Sequence, residues 1–497
     1  MRASGILMPV FSLPSRYGIG SFSKSAYQFV DMLKKAGQKY WQILPLCPTS
    51  YGDSPYQSFS TYAGNPYFID LDQLIEEKLL TRKECQACDF GDDPQDIDYG
   101  KLYENRFKLL RKAYERANVG EDQEFEAYRR ENAWWLDDYA LFMAVKDRFD
   151  GVAWNEWAED IRLRWSNAMD YYRRELYYEI EFYSYLQFVF MKQWKKLKNY
   201  ANINGIEIIG DIPIYVAFDS ADAWANPELF QFDAENLPTA VAGCPPDGFS
   251  ADGQLWGNPL YRWDYHRETG FDWWIRRIAY CSELYDVVRI DHFRGFDEYY
   301  SIPYGDTTAR NGHWEKGPGI ALFEAAKNRL GELNIIAEDL GYITDSVKKL
   351  VADSGFPGMK VLEFAFDSRE KSDYLPYTYE KNSVVYTGTH DNETIAGWYA
   401  GLDKSDLKMC TDYMNIDRIP GKEYHWDFIR LAMLSVSDLC VIPIQDYLGL
   451  DNRARINHPS TLGTNWRWRL VKGQLSASLL KEIREMTRIS GRLQNGE

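Results

Sequence analysis

"YDVVRIDHF", residues 285–293, starts as one kind of strand and ends as another. Val287, Val288 and Ile290 are apolar and β-branched, as in a strand covered on both faces. Arg289, Asp291 and His292 follow within a few residues, and Arg294 comes just beyond. An unpaired charge is costly to bury. The conflict disappears if the strand crosses an apolar core and delivers its last side chains to a cleft. Parallel barrel strands are built this way, with functional residues at their C-terminal ends.

The same pattern recurs along the chain. "GILMPVF" (5–11), "YWQILPL" (40–46), "IEIIGDIPIYV" (206–216), "NIIAEDLG" (334–341), "MKVLEFAF" (359–366), "SVVYTGTHDN" (383–392) and "LCVIPIQDYLG" (439–449) complete a set of eight strand-like runs. Helical segments lie between them. "KSAYQFVDMLKKAGQ" (24–38) is amphipathic and stops at Gly37, and "ALFEAAKNRLGE" (321–332) is another helix. Eight such units predict an α/β fold, a (β/α)8 TIM barrel, which needs about 250 residues. The chain has 497. The surplus falls after strands two and three. Residues 64–200 predict a helix-rich insertion, with helices at 102–117, 136–149 and 171–205. Residues 214–283 predict a second insertion that includes a loop, "AGCPPDGFSADGQLWGNPLY" (242–261). Insertions after a strand belong to the C-terminal face. With no internal repeat or low-complexity linker, residues 1–497 read as one catalytic barrel domain.

The formal net charge of −17 disfavours nucleic acid and anionic membranes as partners. Seventeen Trp and 36 Tyr are many. A core could absorb them, and sugar-binding clefts also use aromatic faces. Seven cysteines, an odd number, suit a reducing compartment. Cys85 and Cys88 form a lone CxxC without the second pair that a zinc site needs. The N-terminal apolar stretch is interrupted by Pro9 and Pro14, and no run approaches a membrane span. A cytoplasmic protein is expected.

Carboxylates stand at several strand ends: Asp211, Asp291, Glu338 with Asp339, and Asp391. Any one of them could simply cap the following helix. A ring of them at one barrel mouth is better explained by a shared cleft. Side chains alternate along a strand, so Arg289 and Asp291 share a face, and the guanidinium should hold Asp291 ionised. An ionised carboxylate can act as a nucleophile. Glu338 emerges from apolar residues, and desolvation should raise its pKa, which suits a general acid. His390 and Asp391 add a donor and a further anion. One nucleophile, one acid and one extra anion are the equipment for cleaving a glycosidic bond.

The strand ends "VVRIDHFRGF", "IIAEDLG" and "YTGTHDNET", in that order, resemble those of the α-amylase superfamily. Within it the chain resembles the amylomaltases, the 4-α-glucanotransferases or disproportionating enzymes of glycoside hydrolase family 77. The similarity extends from about residue 5 to 470 through "SLPSRYGIG" (12–20), "DSPYQSFSTYAGNPYFIDL" (53–71), "GDIPIYV" (210–216), "PPDGFSADGQLWGNPLY" (245–261) and "ARINHPSTLGTNWRWRL" (454–470). The resemblance implies Asp291 as nucleophile, Glu338 as acid/base and Asp391 as transition-state stabiliser. It implies that Arg289 and His390 orient the nucleophile and the sugar beside it. It makes Tyr56 an aromatic platform, Trp256 an acceptor-side residue, and Asp211, Ser54 and Asn457 secondary sugar contacts. His292, out of phase with Asp291, is either a sugar contact or a buttress of the strand. No metal or organic cofactor is implied. The implied partners are maltooligosaccharides and α-1,4-glucans as donor and acceptor, with glucose as product or acceptor. The implied reaction is retaining double displacement, which needs carboxyl groups about 5–5.5 Å apart. Two alternatives stay open: an α-1,4-glucan hydrolase on the same scaffold, and a catalytically silent glycan-binding protein.

Overall fold

Parallel strands buried on both faces need only a few residues each to close a barrel, and those found here are short. They are β1 (Ala3–Leu7), β2 (Tyr40–Gln42), β3 (Glu207–Pro213), β4 (Val287–Asp291), β5 (Ile335–Ala337), β6 (Gly358–Val361), β7 (Ser383–Tyr386) and β8 (Leu439–Pro443). The computed structural model describes residues 2–50, 52–246, 250–341, 343–416 and 423–493. The eight strands form one parallel sheet in the order β6-β7-β8-β1-β2-β3-β4-β5. The β5–β6 seam is joined by the Ala337 amide, which donates to the Pro357 carbonyl at 3.0 Å. The Asp339 carboxylate reinforces it by accepting from the Met359 amide at 2.7 Å. The fold is the expected TIM barrel. The apolar runs of the sequence overrun the strands because the connections leaving them are buried too: Ile43, Leu44 and Leu46 follow β2 and are each at most 2% exposed.

Between β2 and β3 lie the helices Tyr99–Ala117, Gln123–Arg148, Ser166–Glu175 and Tyr177–Ile203. The stretch 171–205, which reads as a single helix, is broken at Leu176 (φ −106°, ψ 25°). The last helix runs back along the barrel. Gln187 bonds both the amide and the carbonyl of Gly64, at 2.7 and 2.9 Å, and the Trp194 indole donates to the Leu284 carbonyl at 3.1 Å. One apolar cluster contains Ile6, Trp41, Ile209 and Ile290 of the barrel together with Leu136, Phe142, Phe182 and Leu186 of these helices. Among the described residues, no helix is long and apolar enough to cross a membrane.

The stretch 242–261 corrects its reading as a loop. Ala240–Cys244 and Gln254–Pro259 are antiparallel strands. They form a four-stranded sheet with Glu298–Pro303 and His313–Lys316, which follow β4. Pro245 and Pro246 lead into the hairpin tip, whose residues 247–249 lie outside the described residues, while Gly243, Gly257 and Pro259 lie within the strands themselves. The strands escaped notice because they are short and half-polar: along Gln254–Pro259 only Asn258 and Pro259 are buried.

Candidate active site

Register places Asp211 of β3 beside Arg289 of β4. The Arg289 guanidinium donates through Nη1 to both Asp211 oxygens, at 2.8 and 2.7 Å. Its Nη2 lies 3.2 Å from Asp291 Oδ1, and its Nε faces the Met359 sulfur at 3.4 Å. Asp211 is wholly buried and also accepts from the Tyr56 hydroxyl at 2.7 Å. Arg289 and Asp291 thus do share a face, but the arginine's main partner is Asp211. This corrects the expectation that Arg289 holds Asp291 low. Burial pushes Asp291 well above the usual carboxylate range, and Glu338, Asp211 and Asp391 push the same way, while Arg289 alone pulls down. One guanidinium already committed to Asp211 does not offset burial and three further anions.

Ile290 pairs with Ala337, so the next residues, Asp291 and Glu338, leave adjacent strands side by side. Glu338 accepts from the His292 amide at 2.5 Å and from the Leu340 amide at 2.9 Å. Burial raises its pKa, against Arg289 and those two amides, which lower it. His292 has left-handed backbone (φ 54°), which turns its amide toward Glu338. Its ring stands edge-on to Trp256, with centroids 4.8 Å apart and planes at 89°. Burial pushes the imidazole down to about 3, so it is neutral. Trp256, on the hairpin, is therefore anchored to the turn that follows Asp291.

The third carboxylate sits beyond β7. Asp391 Oδ2 lies 3.4 Å from His390 Nε2, and Asp391 Oδ1 accepts from Asn457 Nδ2 at 2.6 Å. The Asn457 amide donates to the His390 carbonyl at 3.1 Å, and Arg455 donates to the Asp391 carbonyl at 2.7 Å. The buried His390 ring, its pKa lowered chiefly by burial, stacks on Tyr56 with centroids 5.2 Å apart and planes 8° from parallel. Ser54 is not brought to the carboxylates. Its hydroxyl accepts from the Tyr56 amide at 3.2 Å and shapes the turn that presents Tyr56.

Three residues in this constellation were not singled out from sequence. Trp466, with φ 66°, packs near both Tyr56 (5.8 Å) and His390 (6.0 Å). Arg455 braces the Asp391 backbone, and Met359 closes over Arg289. Trp466 and Arg455 lie in the quoted "ARINHPSTLGTNWRWRL", but nothing in that string says which of its residues face the cleft. Among the described residues, no group of three or more His, Cys, Asp or Glu is arranged to hold a metal ion. Cys85 and Cys88 are free thiols, both pushed up by burial.

An eight-stranded parallel barrel that carries Asp211, Asp291, Glu338 and Asp391 at or just beyond the C-terminal ends of four strands has the architecture of the (β/α)8 enzymes. The chain belongs to glycoside hydrolase family 77, whose model, described as 4-alpha-glucanotransferase, matches residues 8–474. A 4-alpha-glucanotransferase from Clostridium butyricum is 49% identical over 487 residues, 98% of this chain and 100% of that protein. One from Thermus thermophilus is 45% identical over 99% of both chains. Among solved structures, an amylomaltase from Streptococcus agalactiae in complex with acarbose superposes with a TM-score of 0.96 at 44% identity, covering 99% of this chain and 100% of that one.

Proposed function

We propose that this 4-α-glucanotransferase moves α-1,4-glucan segments between maltooligosaccharides through a covalent glycosyl-aspartate. The observation that carries the mechanism is the pairing of Ile290 with Ala337, after which Asp291 ends β4 and Glu338 directly follows β5. Neighbouring strands lie about 4.8 Å apart. Retaining enzymes need their two carboxyl groups about 5–5.5 Å apart, whereas inverting ones need about 6.5 Å or more.

In this reading Glu338, its pKa raised by burial, protonates the leaving glycosidic oxygen while Asp291 attacks the anomeric carbon. The 4-hydroxyl of a second glucan then gives its proton back to Glu338, displaces Asp291 and forms a new α-1,4 bond. Asp391 stabilises the oxocarbenium-like charge and holds sugar hydroxyls. Arg289 and His390 orient the nucleophile and the sugar above it, and Tyr56 offers its ring as a platform. Asp211 and Asn457 serve as much to hold Arg289 and Asp391 as to touch sugar, and Ser54 acts through Tyr56. His292 buttresses Glu338 through its amide and Trp256 through its ring. Glucose is a product or an acceptor. The chain works as one catalytic domain, with 64–200 and 214–283 as insertions that wall the cleft. All seven cysteines are free thiols, which supports a reducing, cytoplasmic setting.

Transfer outcompetes hydrolysis only where water is excluded or sugar hydroxyls are better aligned. Trp256, pinned by His292 at the hairpin, is placed to do part of this. Incubation with maltotriose is the deciding experiment. A transferase gives glucose and a ladder of longer oligosaccharides at constant total reducing ends, and a hydrolase raises reducing ends. Absence of turnover would mean a silent binding protein.

A further inference from the structure

Asp391 is carried by residues 387–394, a connection without strand structure between β7 and the helix Ile395–Gly401. What holds this connection comes from the segment after β8. Asp446, 1% exposed, lies three residues past β8. Its Oδ2 accepts from the Thr387 hydroxyl at 2.5 Å, and its Oδ1 accepts from the Ile395 amide at 2.8 Å. Thr387 opens the connection and Ile395 is the first helical residue after it, and both are fully buried. One carboxylate thus clamps the entry and the exit of the loop that presents His390 and Asp391. Asn452 adds a weaker tie at the exit, accepting from the Thr394 amide at 3.2 Å and donating to Glu393 at 2.6 Å. Within the loop, Asn392 accepts from the amide and hydroxyl of Thr389, at 2.9 and 2.8 Å. Beneath it a Cβ on Gly388 would lie 2.5 Å from Glu363 Oε1, so a side chain there would require the Glu363 carboxyl group to shift.

We propose that Asp446 is a positioning residue for the transfer reaction, setting Asp391 and His390 against the reacting sugar by tying Thr387 to Ile395. The inference rests on the assignment of Asp391 to the catalytic site. Asp446 touches no substrate. It acts through loop geometry, so its loss lowers turnover more than it weakens binding by sugars elsewhere in the cleft. An amide at this position keeps the clamp: its oxygen accepts from the Ile395 amide, and its nitrogen donates to a rotated Thr387 hydroxyl.

The test is steady-state transfer with maltotriose by Asp446→Ala, Asp446→Asn and Thr387→Val, each with its Tm, beside Asp391→Ala. Asp446→Ala should lower kcat about 10- to 100-fold with KM within about threefold of wild type. Asp446→Asn should restore kcat to within about threefold, with Thr387→Val between the two. A folded Asp446→Ala with kcat within about twofold of wild type overturns the inference. So does an Asn variant as poor as the Ala variant, or a loss confined to KM. If Asp446→Ala does not fold, Thr387→Val decides. A several-fold fall in kcat at unchanged Tm supports the clamp, and wild-type kcat overturns it. Asp391→Ala separates the two levels. If that variant keeps wild-type kcat, the assignment of Asp391 fails. If it is inactive while Asp446→Ala is not, only the clamp fails.

Discussion

The β4–β5 corner and the β7–β8 corner hold their carboxylates by different means. Asp291 is the last residue of β4, and Glu338 follows β5 directly, with two backbone amides on its carboxyl group. Asp391 stands five residues beyond β7, on a loop held by the side chains of Asp446, Asn452, Arg455 and Asn457. Exposure follows the same division. The Asp391 side chain is 43% exposed, against 27% for Asp291, and Glu338 is buried. Groups that make and break bonds need fixed geometry, which strands supply. A group that engages sugar hydroxyls can sit on a loop, provided that something packs the loop from behind.

Breaking the rigid corner should have the largest effect. Asp291→Ala is expected to lower transfer by about 10⁴-fold or more in a maltotriose assay, with Tm nearly unchanged. Next comes the ion pair below it. Arg289→Met leaves Asp211 buried without its cation and should destabilise the fold by about 3–5 kcal/mol in denaturant unfolding. Arg289→Met with Asp211→Asn should recover part of that loss. At the loop corner the hydrogen bond from Asn457 to the Asp391 carboxylate is worth less. Asn457→Ala should cost about 1.5–3 kcal/mol of transition-state stabilisation, read from kcat/KM. If it matched Asp291→Ala, the distinction between the corners would be lost.

The smallest expected effect is electrical. Asp391 is one of the anions that raise Asp291. Asp291 must be ionised and Glu338 protonated for the reaction, so the active form holds one proton between two carboxyl groups that are both raised by burial. Activity is lost as pH falls and the pair takes up a second proton, and as pH rises and it loses its last. Asp391→Asn should therefore move the acid limb of the residual kcat/KM profile to lower pH. An unmoved limb would mean that the two corners do not sense each other.

Much of this was legible because barrel strands are buried on both faces. Continuous apolar runs ending in charge, as in 285–293 and 334–341, give both the eight units and the residues at the mouth. The same rule reaches Asp446 in "LCVIPIQDYLG" and Glu363 in "MKVLEFAF", two strand-end acids that lie behind the cleft. Sequence pattern does not separate an acid that faces substrate from one that faces a loop. The four-stranded sheet was illegible for another reason. Its strands are short, about half their side chains meet solvent, and Gly243, Gly257 and Pro259 within them carry the same signal as a loop.

The sequence by itself determined the barrel, its family and the identity of the carboxylates at its mouth, because burial and strand period are local properties of a chain. The tertiary structure decided who pairs with whom. Arg289 could be placed on the same face as Asp291 from spacing alone. Only the register of β3 against β4 shows that its two short bonds go to Asp211, 78 residues earlier. The pKa of Asp291 and the frame of Asp391 likewise depend on side chains brought together across strands, because electrostatic and hydrogen-bond partners are set by distance in space.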